Sequence, residues 1–201
     1  MCVGVNGEGE NRDVHGRRRR KRQRGIRDRV WTETGGLLVA KLTRGTRLSN
    51  GATVLCLVRS PAASGPRAIC RVRPDIGLTP THPVALSRPD VDDAWSWARE
   101  LADSAPEEAE FVYNVVLDCE HTMQVGAGGD VHAITLGHGR GGRVLEHAFY
   151  GTHAVVEALR LDEEGWKAGV VTMPTIDSQI STHPFNGGVA RDCGRVEAVA
   201  S

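Results

Sequence analysis

The chain has 201 residues, its 25 Lys+Arg matched by 25 Asp+Glu, with 40% hydrophobic and 4% aromatic side chains. That length suits one self-sufficient core. Three classes are set aside: no apolar run approaches the ~20 residues of a bilayer span, the first 30 residues lack the hydrophobic stretch of a secretory signal, and apolar segments recurring from Leu37 to Met173 argue against uniform disorder.

The net zero hides an imbalance, because residues 1–29 hold ten Lys/Arg against four Asp/Glu and the rest is mildly acidic. The run Arg17-Arg18-Arg19-Arg20-Lys21-Arg22 repels itself and buries nothing, so residues 1–29 are expected to form a disordered basic arm. Clustered cations displace counterions from phosphate, which makes nucleic acid a candidate partner of Arg17–Arg22, and no membrane is expected. The expected location is intracellular, with nucleus and cytoplasm not distinguished. Five cysteines without a C-x-x-C are read as reduced thiols.

From Leu37 onward, short apolar runs alternate with turn residues. Leu37–Leu42 and Thr53–Arg59 read as strands, and Asn50-Gly51 between them predicts a type I′ hairpin turn. Ala68–Val72 follows a Pro61–Pro66 loop as another strand. Asp93–Ala102 fits a helix by the spacing of Trp95 and Ala98, but Trp95-Ser96-Trp97 also alternates as a strand would. Phe111–Asp118, His121–Val125 and Val131–Leu136 are predicted strands, the last two joined by Gly126–Gly129. Thr152–Leu161 is the better helix, with Thr152 as its cap and Val155, Val156 and Leu159 on one stripe. Gly169–Met173 reads as a last strand, and residues 174–201 as a loosely structured tail. The pattern predicts a mostly β domain over 30–173 rather than alternating βαβ units.

Chemistry concentrates in two segments. In Leu78-Thr79-Pro80-Thr81-His82-Pro83-Val84, each residue before a proline is pushed out of the helical region, so a hydroxyl and an imidazole are expected on a stiff extended ribbon. Stiffness serves a histidine that must meet a developing charge in one place. In Phe111–Gly126, Asp118-Cys119-Glu120 breaks two strands and sets His121 at the start of the second.

An ordered series runs through both: Thr79–His82 with Pro83-Val84, Trp95, Val112-Tyr113-Asn114, Glu120-His121-Thr122, Leu136-Gly137-His138-Gly139 and Phe149-Tyr150-Gly151-Thr152. Over residues 37–173 the chain resembles the Hint (hedgehog/intein) superfamily, most closely its Vint branch, found beside von Willebrand factor A domains. The resemblance implies an antiparallel β horseshoe with one short helix. It also implies autoproteolysis without a cofactor, in which a Cys or Ser at the domain's first position attacks the preceding carbonyl in an N-to-S or N-to-O acyl shift. The substrate is then the domain's own flanking polypeptide, and a von Willebrand factor A domain is an implied neighbour. His82 would deliver or shuttle the proton to the departing nitrogen, Thr79 would bond the scissile peptide, and His121 would aid a later step or hold the strand pair.

The chain departs from that pattern. Where the Gly-Asp pair belongs it has Gly45-Thr46, and the nucleophile's place near Arg22–Arg29 holds no Cys, Ser or Thr. Thr32 and Thr34 lie closer to the hairpin, while Cys2 would serve only if the arginine block were an insertion. A rival reading is a non-catalytic interaction module on a Hint-derived fold with a nucleic-acid-binding arm.

Cys119, His121, His132, His138, His147 and His153 crowd together but lack the spacing of a zinc finger or H-E-x-x-H motif, so no metal is expected; the alternative is ordinary polar histidines, His138 bonding a loop backbone. Gly137–Gly142 lacks the Lys-Ser/Thr of a phosphate loop and is read as glycine that permits close backbone packing. Cys56 and Cys70, in apolar runs, are expected to be inert core thiols.

Overall fold

The computed structural model describes residues 28–61, 67–87, 94–103, 105 and 107–173. The Arg17–Arg22 run, Cys2, residues 62–66 of the Pro61–Pro66 loop and the tail 174–201 lie outside the described residues. Asp28 and Arg29, assigned above to the arm, belong to the folded body: Asp28 is buried and Arg29 opens the first strand.

Strand β1 (Arg29–Thr32) folds back on β2 (Gly35–Leu38), and a 3₁₀ turn (Val39–Lys41) follows. The run Leu37–Leu42 is therefore split between a strand end and a 3₁₀ turn, because it pairs with residues before it rather than after it. Asn50-Gly51 does sit in a turn, with Gly51 N–H donating to Leu48 O and Leu48 N–H to Ala52 O. Only Gly51 is left-handed (φ 88°), so this is not the expected type I′ turn. The Asn50 side chain instead donates to Thr122 O, tying the turn to the body.

The next strands are β3 (Val54–Pro61), β4 (Arg67–Arg73), β5 (Ile76–Leu78) and β6 (Pro83–Ala85). Trp95-Ser96-Trp97 resolves its ambiguity in both directions: Ser96–Trp97 is β7 and Ala98–Leu101 is the short helix α1. Then come β8 (Glu107–Ala109), β9 (Phe111–Leu117), β10 (Thr122–Val125) and β11 (Val131–Ile134). Helices α2 (His153–Arg160) and α3 (Glu163–Ala168) precede β12 (Val170–Thr172). The α3 turn went unread because its apolar content is only Trp166 and Ala168, too little for a stripe.

Among the described residues three sheets result: β2-β1-β10-β11-β6-β7, β12-β3-β9 and β5-β4-β8. Among these strands the pairings are antiparallel except β12 on β3, and an isolated bridge between Val116 and Leu136 is also parallel. The fold is mostly β, as the resemblance implies, with more helical turns than one.

The β3–β9 ribbon is buried on both faces. Val54, Leu57, Val115 and Leu117 enter the main core, whereas Cys56, Val58 and Val116 face a second one under α2. Two-sided burial explains why Thr53–Arg59 reads as a continuous apolar run. A third cluster, Ala85, Trp95, Ile134, Val144 and Leu145, packs behind β6 and β11.

Candidate active site

The Thr79–His82 segment is a tight turn rather than an extended ribbon. Thr79 O accepts the His82 N–H at 2.9 Å across Pro80-Thr81, the position where proline's fixed φ favours a turn. His82 O takes the Ala98 N–H and Pro80 O the Arg99 N–H, both at 3.0 Å, so α1 clamps the turn from outside. Strand β6 then pairs with β11, Ala133 opposite Val84. That register sets the His82 ring against the end of β11, with Nε2 3.0 Å from Ile134 O.

A carbonyl only accepts, so Nε2 carries the ring proton and Nδ1 of the neutral ring keeps a lone pair. Burial lowers the His82 pKa to about 4, opposed by the Ile134 hydrogen bond, so the ring is neutral at neutral pH. It is not turned to open water. With Thr79 it lines a cavity of about 540 Å³ that also receives Asp28 and Val30 from the start of β1. The Thr79 hydroxyl has no hydrogen-bond partner among the described residues. Tyr113 and Asn114 of β9, and Thr135 just beyond β11, border the same space. Thr135 Oγ1 is buried without a partner.

His121 is placed differently. It is absent from the cavity lining and sits behind it, in a left-handed pair with Glu120 (φ 48° and 59°). Its carbonyl accepts the Thr135 N–H at 2.9 Å. Its Nδ1 is buried without a partner, and its pKa is lowered by burial and then by the Arg140 cation. A non-glycine pair at positive φ is strained backbone held by its surroundings. The sequence reading thus named two residues that share the cavity and one that reaches it only through neighbours.

Two further histidines bond local backbone. His138 Nδ1 accepts the Arg140 N–H at 3.0 Å, and His147 Nδ1 accepts from Phe149 and Tyr150. Burial, then the charges of His121 and Arg140, hold the His138 pKa near 4. Among the described residues no three His, Cys, Asp or Glu converge as metal ligands. The Gly137 turn packs tightly: a Cβ there would lie 2.8 Å from Val156 Cγ2. Cys56 and Cys70 are buried, and burial raises the Cys56 pKa.

Neither nearby threonine is free to act as nucleophile. Thr32 Oγ1 donates to Gly35 O at 2.7 Å and lies 3.1 Å from Thr34 Oγ1, so both hydroxyls belong to the β1–β2 turn.

The residue that sequence reasoning missed is Asp28. The residue is 6% exposed, and its carboxyl accepts the Gly77 N–H on Oδ1 at 3.0 Å and lines the cavity. Burial raises its pKa to about 7, partly opposed by the Gly77 hydrogen bond and by Arg71, and reinforced by Asp75. The arginines around it in sequence masked it, since composition averages a buried acid into a basic arm.

A mostly antiparallel β body whose cavity joins its own first strand to a Thr-x-x-His turn is the architecture of a self-processing domain class. The chain belongs to that class: the Vint model of the Hint domain matches it over residues 32–187. No curated protein matches the chain. Among the described residues no helix is long and apolar enough to cross a membrane.

Proposed function

We propose that this Hint domain cleaves its own polypeptide at its N-terminal boundary by an intramolecular acyl shift. The observation that carries the reading is the shared cavity: His82 and Thr79 line it together with Asp28 and Val30, where the chain enters the body. A thiol or hydroxyl attacks the carbonyl of the upstream peptide bond, the new C–S or C–O bond forms, and the C–N bond breaks to release an amine. An amide resists this because its leaving nitrogen is basic, so the nitrogen must be held and protonated as it departs.

His82 is suited to holding it. With Nε2 committed to Ile134 O, the Nδ1 lone pair is available to accept the scissile N–H. A ring that stays neutral down to about pH 4 orients the peptide better than it stores protons. The unpartnered Thr79 hydroxyl offers a second contact to the same peptide, and His121 supports the wall carrying Thr135. The nucleophile is a thiol or hydroxyl supplied from upstream of Asp28, a place Cys2 fills only if the arginine block is an insertion. The upstream polypeptide, a von Willebrand factor A domain in the parent protein being one form of it, is the substrate.

The test is a fusion of a folded partner ahead of the full chain, treated with hydroxylamine or dithiothreitol and followed by mass. Release is expected, and His82→Ala should slow it at least about 100-fold. A fusion that stays intact under every condition refutes the proposal and favours an interaction module.

A further inference from the structure

Two acids line the cavity, the buried Asp28 and the exposed Glu146, and the acyl shift as described gives the buried one no task. Asp28 precedes β1, and its backbone is pinned by Asp28 O accepting the Val39 N–H at 2.9 Å and Arg29 O accepting the Gly126 N–H at 2.9 Å. Oδ1 is taken by the Gly77 N–H, while Oδ2 has no hydrogen-bond partner among the described residues. The carboxyl thus stands fixed between the β5 backbone and the cavity that Thr79 and His82 also line.

We propose that Asp28 is the proton shuttle of the cleavage reaction. This rests on the acyl-shift reading and deepens it. As the thiol or hydroxyl attacks, its proton passes to the Asp28 carboxylate and the new C–S or C–O bond forms. As the tetrahedral adduct collapses, the carboxylic acid returns that proton to the nitrogen while the C–N bond breaks, His82 Nδ1 having oriented that N–H. One proton leaves the nucleophile and one arrives on the amine, so Asp28 ends as it began and no oxidant or cofactor is consumed.

Physical chemistry supports the division of labour. A group that must both accept and donate works best with a pKa near the operating pH. Asp28 is held at about 7 and His82 at about 4, so their surroundings push the two groups apart and toward different roles. The charged groups that set the Asp28 pKa are Arg71 of β4 and Asp75 of the β4–β5 turn, while His82, His138, Glu146 and His147 also line the cavity that the carboxyl faces. Arg71 is itself paired with Glu107 of β8 at 3.0 Å, which blunts its pull on Asp28.

The experiment uses the same full-chain fusion, with hydroxylamine release measured from pH 5 to 9. The wild-type rate should change with an apparent pKa near 7. Asp28→Asn, which keeps an acceptor for Gly77, should lose about 100-fold or more and flatten the profile. Asp28→Glu should restore part of the rate and the inflection. Thermal unfolding checks that Asp28→Asn is folded, and the wild-type profile stands independently of any variant. A wild-type rate that is flat across this range, or an Asp28→Asn fusion cleaving at the wild-type rate while His82→Ala does not, overturns the shuttle alone. A wild-type fusion that never cleaves overturns the acyl-shift reading and the shuttle with it.

Discussion

Asp28 and His82 bring opposite pH dependences to one cavity. A carboxyl raised to about 7 binds its proton more tightly folded than unfolded, so it costs nothing below about pH 4 and its ionisation penalty grows as pH climbs through 7. A histidine lowered to about 4 works the other way: the unfolded chain takes up a proton below the ordinary 6.5 while the folded ring does not, so stability is lost as pH falls from 6.5 to 4. His138 has the same sign as His82. Over that lower window the contributions offset each other. Asp28→Asn should therefore unmask the histidines, its stability rising between about pH 4 and 6.5, and by pH 8 it should exceed wild type by on the order of 2–4 kcal/mol. Urea unfolding across pH measures this; equal stabilities at pH 8 would contradict a buried, ionising Asp28. Gaining stability where cleavage is lost is the pattern of a group retained for chemistry.

At the level of elements, the turns decide which side chains meet. The Gly126–Gly129 link was legible as a hairpin connection, and β10 does pair with β11 across it, Val125 opposite Val131. The reason glycine stands at 126 was not legible. Its φ is 85°, and a Cβ would fall 2.6 Å from Ile76 Cδ1, in the strand beside the Asp28 carboxyl. Gly126→Ala should cost roughly 1–3 kcal/mol in chemical denaturation, from left-handed strain plus overpacking. Thr152 shows the converse. It stands at the N-cap of α2 as the sequence suggests, yet its hydroxyl makes no cap bond and donates instead to Ala148 O and Phe149 O. The stripe Val155, Val156 and Leu159 was read correctly because burial of an amphipathic face follows from period alone.

For the whole molecule, the β3–β9 ribbon is the shared wall of two cores. Leu117 packs on one side and Cys56, Val58 and Val116 on the other, where Leu159 of α2 closes the cluster. The parallel seat of β12 on β3 carries the chain's last described strand into the same wall. Neither core survives loss of the ribbon, so unfolding should be one transition. Leu159→Ala and Leu117→Ala should each cost about 2–5 kcal/mol and shift a single melt. Fluorescence of Trp166, beside the second core, and far-ultraviolet dichroism should move together; separated midpoints would show two independent units.

What this sequence determined by itself was local or periodic. Apolar runs at strand length, the α2 stripe and proline's fixed φ around Thr79–His82 are properties of near neighbours, and the ordered motif series was sufficient to place the chain in its family. Long-range partnership came instead from the packing of distant strands. Ile134 O accepts a hydrogen bond from His82 Nε2 across 52 positions, and the Gly77 N–H donates to Asp28 Oδ1 across 49. Burial then makes an acid out of a residue that composition assigned to a basic arm. Desolvation depends on which distant strands close over a side chain, and no window of neighbouring residues contains that information.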